Sequence, residues 1–156
     1  MIRHLTFYFD GSYSSKTEMS GWSAICLEDD IIIDTQIGFE PLSTNNRAEL
    51  LGFLSVLENI DTIETSRVTI DIFTNSFYIS DSFNRKWYRK WLTNGWKTAD
   101  KQKIKNQDLL TRIVALYIKL SNKFNINIIK ADDNLQWCKY VNLLAVEKRQ
   151  EMEKRL

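Results

Sequence analysis

The chain has 156 residues, of which 44% are hydrophobic and 26% charged, with a formal net charge of +1. That length fits one domain spanning 1–156, able to bury roughly two thirds of its unfolded surface without a metal or disulfide staple. No apolar run reaches the roughly 18 residues of a membrane span and no secretory leader opens the sequence, so a cytoplasmic protein with Cys26 and Cys138 as free thiols is expected.

Leu5 to Asp10 is predicted to be a buried strand. After a Gly-Ser turn it is followed by strands over Trp22 to Leu27 and Ile31 to Gly38, joined across Glu28-Asp29-Asp30. From Asn46 the apolar period becomes helical, through Leu50, Leu54 and Leu57, and ends near Ile60. Arg67 to Thr74 is strand-like again. Asn106 to Ser121 is predicted helical through Leu109, Leu110, Ile113, Leu116 and Leu120, and Phe124 to Lys130 is a fifth strand. Trp137, Val141, Leu144 and Lys148 begin a final helix, whose charged end from Glu147 to Leu156 is expected to project or fray. This order predicts an α/β fold, a five-stranded mixed sheet covered by helices on both faces.

A basic protrusion over about 81–105 separates the fourth strand from the long helix. Phe83, Trp87 and Trp91 recur every four residues, with Trp96 beyond Asn94-Gly95, the spacing of a small apolar core. Asn84 to Lys105 holds Arg85, Lys86, Arg89, Lys90, Lys97, Lys101, Lys103 and Lys105 against the single acid Asp100. The segment therefore carries plus seven and the remainder of the chain minus six. Such a patch steers a polyanion toward one lobe, although a solvated helix face has the same composition.

Asp10 closes an apolar strand and Glu49 precedes the apolar stripe of the first helix. A strand packed on a helix brings two such acids within reach of one divalent ion, which in phosphodiester hydrolysis polarises the phosphate and activates water. Taken singly, Glu49 also suits a helix N-terminus and Asp10 also caps a turn at Gly11.

Asp10-Gly11-Ser12 and Thr44-Asn45-Asn46-Arg47-Ala48-Glu49-Leu50 resemble the first-strand and first-helix motifs of bacterial type 1 ribonuclease H. Thr74-Asn75-Ser76-Phe77-Tyr78 is similar to that family's Thr-Asp-Ser motif. The stretch from Trp87 through Trp91, Gly95-Trp96-Lys97-Thr98-Ala99-Asp100-Lys101 and Lys105-Asn106 resembles its DNA-gripping handle. The resemblance implies a ribonuclease H-like fold and a magnesium-dependent endonuclease, or hydrolase, acting on the RNA of RNA/DNA hybrids. It implies Asp10, Glu49 and Asn75 as metal ligands. Asn45, Asn46, Lys86, Trp87, Arg89, Lys90, Lys97, Thr98 and Lys101 become the expected nucleic-acid contacts.

The pattern departs from the family at the acids. Asn75 and Asn142 stand where the family has aspartates, Ala131 replaces the loop glycine and Asp132 replaces the loop histidine. Asp10, Glu49, Asn75, Asn142 and Asp132 are thus the candidate catalytic set, with magnesium, or manganese, held weakly or not at all. Three functions are compatible with this pattern. The first is an inactive or impaired ribonuclease H that still binds hybrid or structured nucleic acid. The second is an active hybrid-cutting enzyme. The third is a protein-binding inhibitor or immunity-type module, with Tyr13 to Ser20, Ala131 to Gln136 and the charged tail as contact surfaces. A monomer is expected in each case.

Overall fold

The computed structural model describes residues 1–156. Three strands come first, β1 (Arg3–Tyr13), β2 (Ser20–Glu28) and β3 (Ile31–Glu40), followed by α1 (Asn45–Ile60) and β4 (Val68–Thr74). The helices α2 (Phe77–Asn84), α3 (Trp87–Asn94) and α4 (Gln107–Ser121) lead to β5 (Asn125–Lys130) and α5 (Gln136–Glu153). The sheet order is β3-β2-β1-β4-β5, with β1, β2 and β3 antiparallel and β4 and β5 added in parallel to β1. This is the five-stranded mixed α/β sheet that the sequence predicts. No helix is long and apolar enough to cross a membrane.

The β2–β3 turn is made by Asp29 and Asp30, both with positive φ, a conformation that short polar side chains tolerate. Thr44 caps α1 by accepting a hydrogen bond from the Arg47 backbone N–H at 3.1 Å. The helix then lays Leu50, Phe53, Leu57 and Ile60, all fully buried, against one sheet face. Gly11 permits this close packing, because a Cβ there would meet the Ala48 carbonyl carbon at 2.6 Å.

The other face is covered less completely than expected. The helix α5 packs on β1, β2 and β3, where Val141 joins Ile25 and Leu27 with Trp137 and Leu144 alongside. Strand β4 buries only alternate residues, so Thr69, Asp71 and Phe73 on that face are half exposed. One helix with a short apolar stripe spans three strands and no more; of the uncovered positions Thr69 and Asp71 are polar, and Phe73 stacks on Tyr8 at 4.8 Å. There Asp71 accepts hydrogen bonds from Asn127 and pairs with His4, at 3.0 and 2.8 Å.

The charged C-terminal turns do not project. Met152 is buried, the Arg149 guanidinium donates to the Ser12 hydroxyl at 2.9 Å, and Thr17 donates to Glu153 at 2.5 Å. Gly21 lets α5 this close, since a Cβ there would fall 2.3 Å from the Ala145 carbonyl oxygen. These polar residues are spent on the β1–β2 hairpin, a contact that helical spacing does not register.

Candidate acid site and basic groove

The acid site forms where the parallel strands end, the usual ligand crevice of an open α/β sheet. The β1–β4 ladder stops at Tyr8 and Phe73, whereas β1 continues to Tyr13 on its pairing with β2. Asp10 therefore lies inside a strand and not at a turn, just past the point where the sheet splits. It is 5% exposed, accepts the Gly11 N–H at 2.8 Å, and accepts the Asn142 amide N–H at 3.0 Å from α5. Burial raises its pKa. Hydrogen bonds from Asn142, Gly11 and Asn75 oppose that rise and the charge of Asp133 adds to it.

Glu49 is the fifth residue of α1, beyond the first turn, so the helix dipole does not account for it. Its pKa is raised by burial, lowered in part by a hydrogen bond with Ser76, and raised further by Asp10 and Asp133. The shared influence of these acids on one another brings Asp10, Glu49 and Asp133 into a single electrostatic neighbourhood. Asn75 follows β4 and donates its amide to Asp133 at 2.9 Å. A cavity of about 300 Å³ is lined by Asp10, Asn75, Asp133, Cys138, Lys139 and Asn142.

Asp132 is not among those lining residues. Its carboxylate accepts the backbone N–H of Asn134 at 2.8 Å, an Asx turn that leaves its neighbour Asp133 to face the cavity. No three His, Cys, Asp or Glu side chains form a group able to hold a metal ion. Both amides point N–H donors, not carbonyl oxygens, at the carboxylates beside them. A hard dication requires oxygen ligands and negative charge, which here only the carboxylates of Asp10, Glu49 and Asp133 would supply.

The protrusion is built differently from the expected four-residue stripe. Lys86 adopts a positive φ of 60° and breaks the segment into α2 and α3, so Phe83 and Trp91 do not lie on one continuous helix. Tyr88 and Trp91 turn inward at 7% exposure each, while Trp87 is only half-buried. The Tyr88 ring stacks on Phe83 at 5.5 Å and Trp91 lies 6.1 Å from Trp96. An open groove of about 390 Å³ runs between this lobe and the start of α1, lined by Asn46, Tyr78, Trp91, Thr98, Lys103 and Lys105 among others. Of the expected contacts, Asn46 and Thr98 line the groove. Asn45, Lys86, Arg89, Lys90, Lys97 and Lys101 are exposed and do not line it.

Residues 3–149, nearly the whole chain, match the RNase H family. The chain belongs to the ribonuclease H family. A "Ribonuclease H" of Nitratidesulfovibrio vulgaris (strain DP4) is 39% identical over 120 residues, covering 77% of this chain and 74% of that protein. Among solved structures, LC9-RNase H1, a type 1 enzyme with the type 2 active-site motif, superposes with a TM-score of 0.76 at 22% identity. That match covers 97% of this chain and 74% of the other. LC11-RNase H1 in complex with RNA/DNA hybrid gives a TM-score of 0.65 at 13% identity, covering 95% and 98%. At these identities the two structures establish the ribonuclease H fold alone.

The sequence places Asp132 at the loop position without distinguishing it from Asp133, which lines the cavity, and gives no sign that Cys138 joins it. The pattern Asp132-Asp133-Asn134-Leu135 allows either aspartate to close an Asx turn, Asp132 onto Asn134 or Asp133 onto Leu135, so it holds no signal for which one faces the cavity. Cys138 is one turn of α5 before Asn142 and is brought to the cavity only by helix packing.

Proposed function

We propose that this ribonuclease H family chain acts as one domain that binds RNA/DNA hybrid, or structured nucleic acid of similar backbone geometry, and cuts it poorly or not at all. The observation that carries the reading is the Asn142 amide donating to Asp10 at 3.0 Å. A protein N–H occupies the carboxylate oxygen that a cation would otherwise share. Divalent ions bound on this scaffold would polarise the phosphate and activate water. With Asn75 and Asn142 in place of two aspartates, Asp10 and Glu49 supply half the charge that the family pattern carries, and the amide N–H groups occupy lone pairs of Asp133 and Asp10.

Binding falls to the protrusion and the groove. Lys86, Arg89, Lys90, Lys97 and Lys101 place charge for phosphate oxygens, and Asn45, Asn46 and Thr98 offer neutral polar contacts at the start of α1 and in the lobe. Such contacts fix the position of a backbone without reading sequence. The names of the relatives and the hybrid held by LC11-RNase H1 support nucleic acid as the ligand class.

A second reading draws on Asp133, a third carboxylate beside Asp10 and Glu49. If it supplies the missing charge, manganese or magnesium supports slow hydrolysis. One experiment separates the readings: a labelled RNA/DNA hybrid incubated with the parent chain, Asp10→Ala and Asp133→Ala, in magnesium and in manganese, with binding measured in parallel. Salt-sensitive binding with no cleavage above buffer supports the first reading. Cleavage that disappears in both variants overturns it in favour of the second.

A further inference from the structure

The other aromatics of α2 turn toward neighbouring rings, Tyr78 on Trp91 at 6.3 Å and Phe83 on Tyr88 at 5.5 Å. Phe77 does the opposite. It is the first residue of α2, 70% exposed, two residues after Asn75 and directly after the helix cap Ser76. The Lys130 ammonium lies 4.3 Å from its ring centroid and also donates to the Ala131 carbonyl at 3.1 Å. Lys130 itself pairs with Thr74 in the β4–β5 ladder. The ring thus lies two residues beyond the cavity-lining Asn75, with a cation on one side and most of its surface open to solvent.

We infer that Phe77, with Lys130 behind it, is a stacking platform for an unpaired nucleobase beside the acid site, so that a single-stranded or frayed segment continuing from the paired hybrid gains affinity there. The inference rests on the nucleic-acid reading above and names its ligand more closely. An aromatic ring stacks on any base because every base has a π-face. Inside a duplex both faces of each base are already covered by its neighbours, so the platform is useful only to a base that has left the stack. The ammonium beside the ring adds a partner for the adjoining phosphate, as cation-backed stacking sites do. That position also fits a strand that threads past Asn75 and Asp133 while its duplex portion lies along the basic groove.

The test compares binding of a short unstructured single-stranded RNA, the same strand with an abasic nucleotide at each position in turn, and the matched fully paired RNA/DNA hybrid. Phe77→Ala should weaken the single strand about five- to hundredfold, the range for one lost base stack, and leave the hybrid nearly unchanged. Phe77→Trp should retain binding and gain a fluorescence quench, relative to the parent, on adding the single strand. Because Phe77 is exposed, neither substitution disturbs the core. Equal loss on both ligands, or no loss on either, overturns the inference while leaving the binding function standing. A parent chain that binds neither ligand at low salt overturns both.

Discussion

Asp10 and Glu49 are carboxylates kept where burial opposes their charge, and their surroundings differ in how much of that cost is returned. Asp10 receives donors from Gly11 and Asn142, and Glu49 one from Ser76. Because the folded pKa of Glu49 is raised, ionisation costs native stability as pH rises above the unfolded carboxylate pKa, about 4.3, and through the folded one. Glu49→Gln should therefore be more stable than the parent at neutral pH. The advantage should vanish at about pH 3, where both states are protonated, as read by urea unfolding at the two pH values. The amides make the complementary prediction. Asn75→Asp with Asn142→Asp replaces two donors by like charges beside Asp10 and Asp133, costing about 1–3 kcal/mol without divalent ions. Magnesium should raise the melting temperature of the double variant and not that of the parent. Any gain in hybrid cleavage should be larger for the double variant than for Asn142→Asp alone. Magnesium-independent melting and unchanged cleavage in the double variant would mean that backbone geometry, and not ligand charge, has been lost.

At the scale of the elements, Arg47 joins three of them. From the first turn of α1 it reaches Glu40 at the end of β3, at 2.8 and 3.1 Å, and Asp108 in the first turn of α4, at 2.9 and 3.0 Å. This two-sided fork sets the base of the protrusion against the helix that carries Glu49. The hydrogen bond from Arg47 holds both Glu40 and Asp108 below their usual carboxylate pKa. A lowered acid pKa contributes stability above the unfolded value and loses it as pH falls through the folded value. Arg47→Met should cost roughly 1–2 kcal/mol at neutral pH, at the lower end of charged hydrogen bonds because solvent screens the partners. The gap between variant and parent should close on acidification. A gap that stays constant down to about pH 3 would assign the effect to lost packing of the arginine stem.

For the whole molecule, the division of charge decides how it meets a polyanion. Plus seven between Asn84 and Lys105 faces minus six elsewhere, so attraction depends on orientation and not on net charge. Affinity for hybrid should fall steeply with salt. Lys101→Met should reduce the slope of log affinity against log salt by about 0.9, the value for one lost phosphate contact on duplex. Lys119→Met is the control, since Lys119 lies on α4 in an ion pair with Asp61 at 2.9 Å. An equal change of slope in both variants would remove the protrusion from the interface.

The sequence by itself determined the order of strands and helices, the family, the basic lobe and the candidate acids Asp10 and Glu49. Those features reside in periodicity, in short motifs and in the charge of neighbouring residues, all of which are local. The tertiary structure decided which side chains meet. That Asp133 and not Asp132 faces the cavity follows from one backbone hydrogen bond in the β5–α5 loop. Tyr88 takes the inward place expected for Trp87 because a positive φ at Lys86 restarts the helix and resets its phase. The charged tail is docked because the glycine-permitted approach at Gly21 brings α5 close to β2 at Ala145 and Arg149. The bond between Asn142 and Asp10 joins residues 132 positions apart, and only the packing of α5 on the sheet turns two ordinary polar residues into a closed pair.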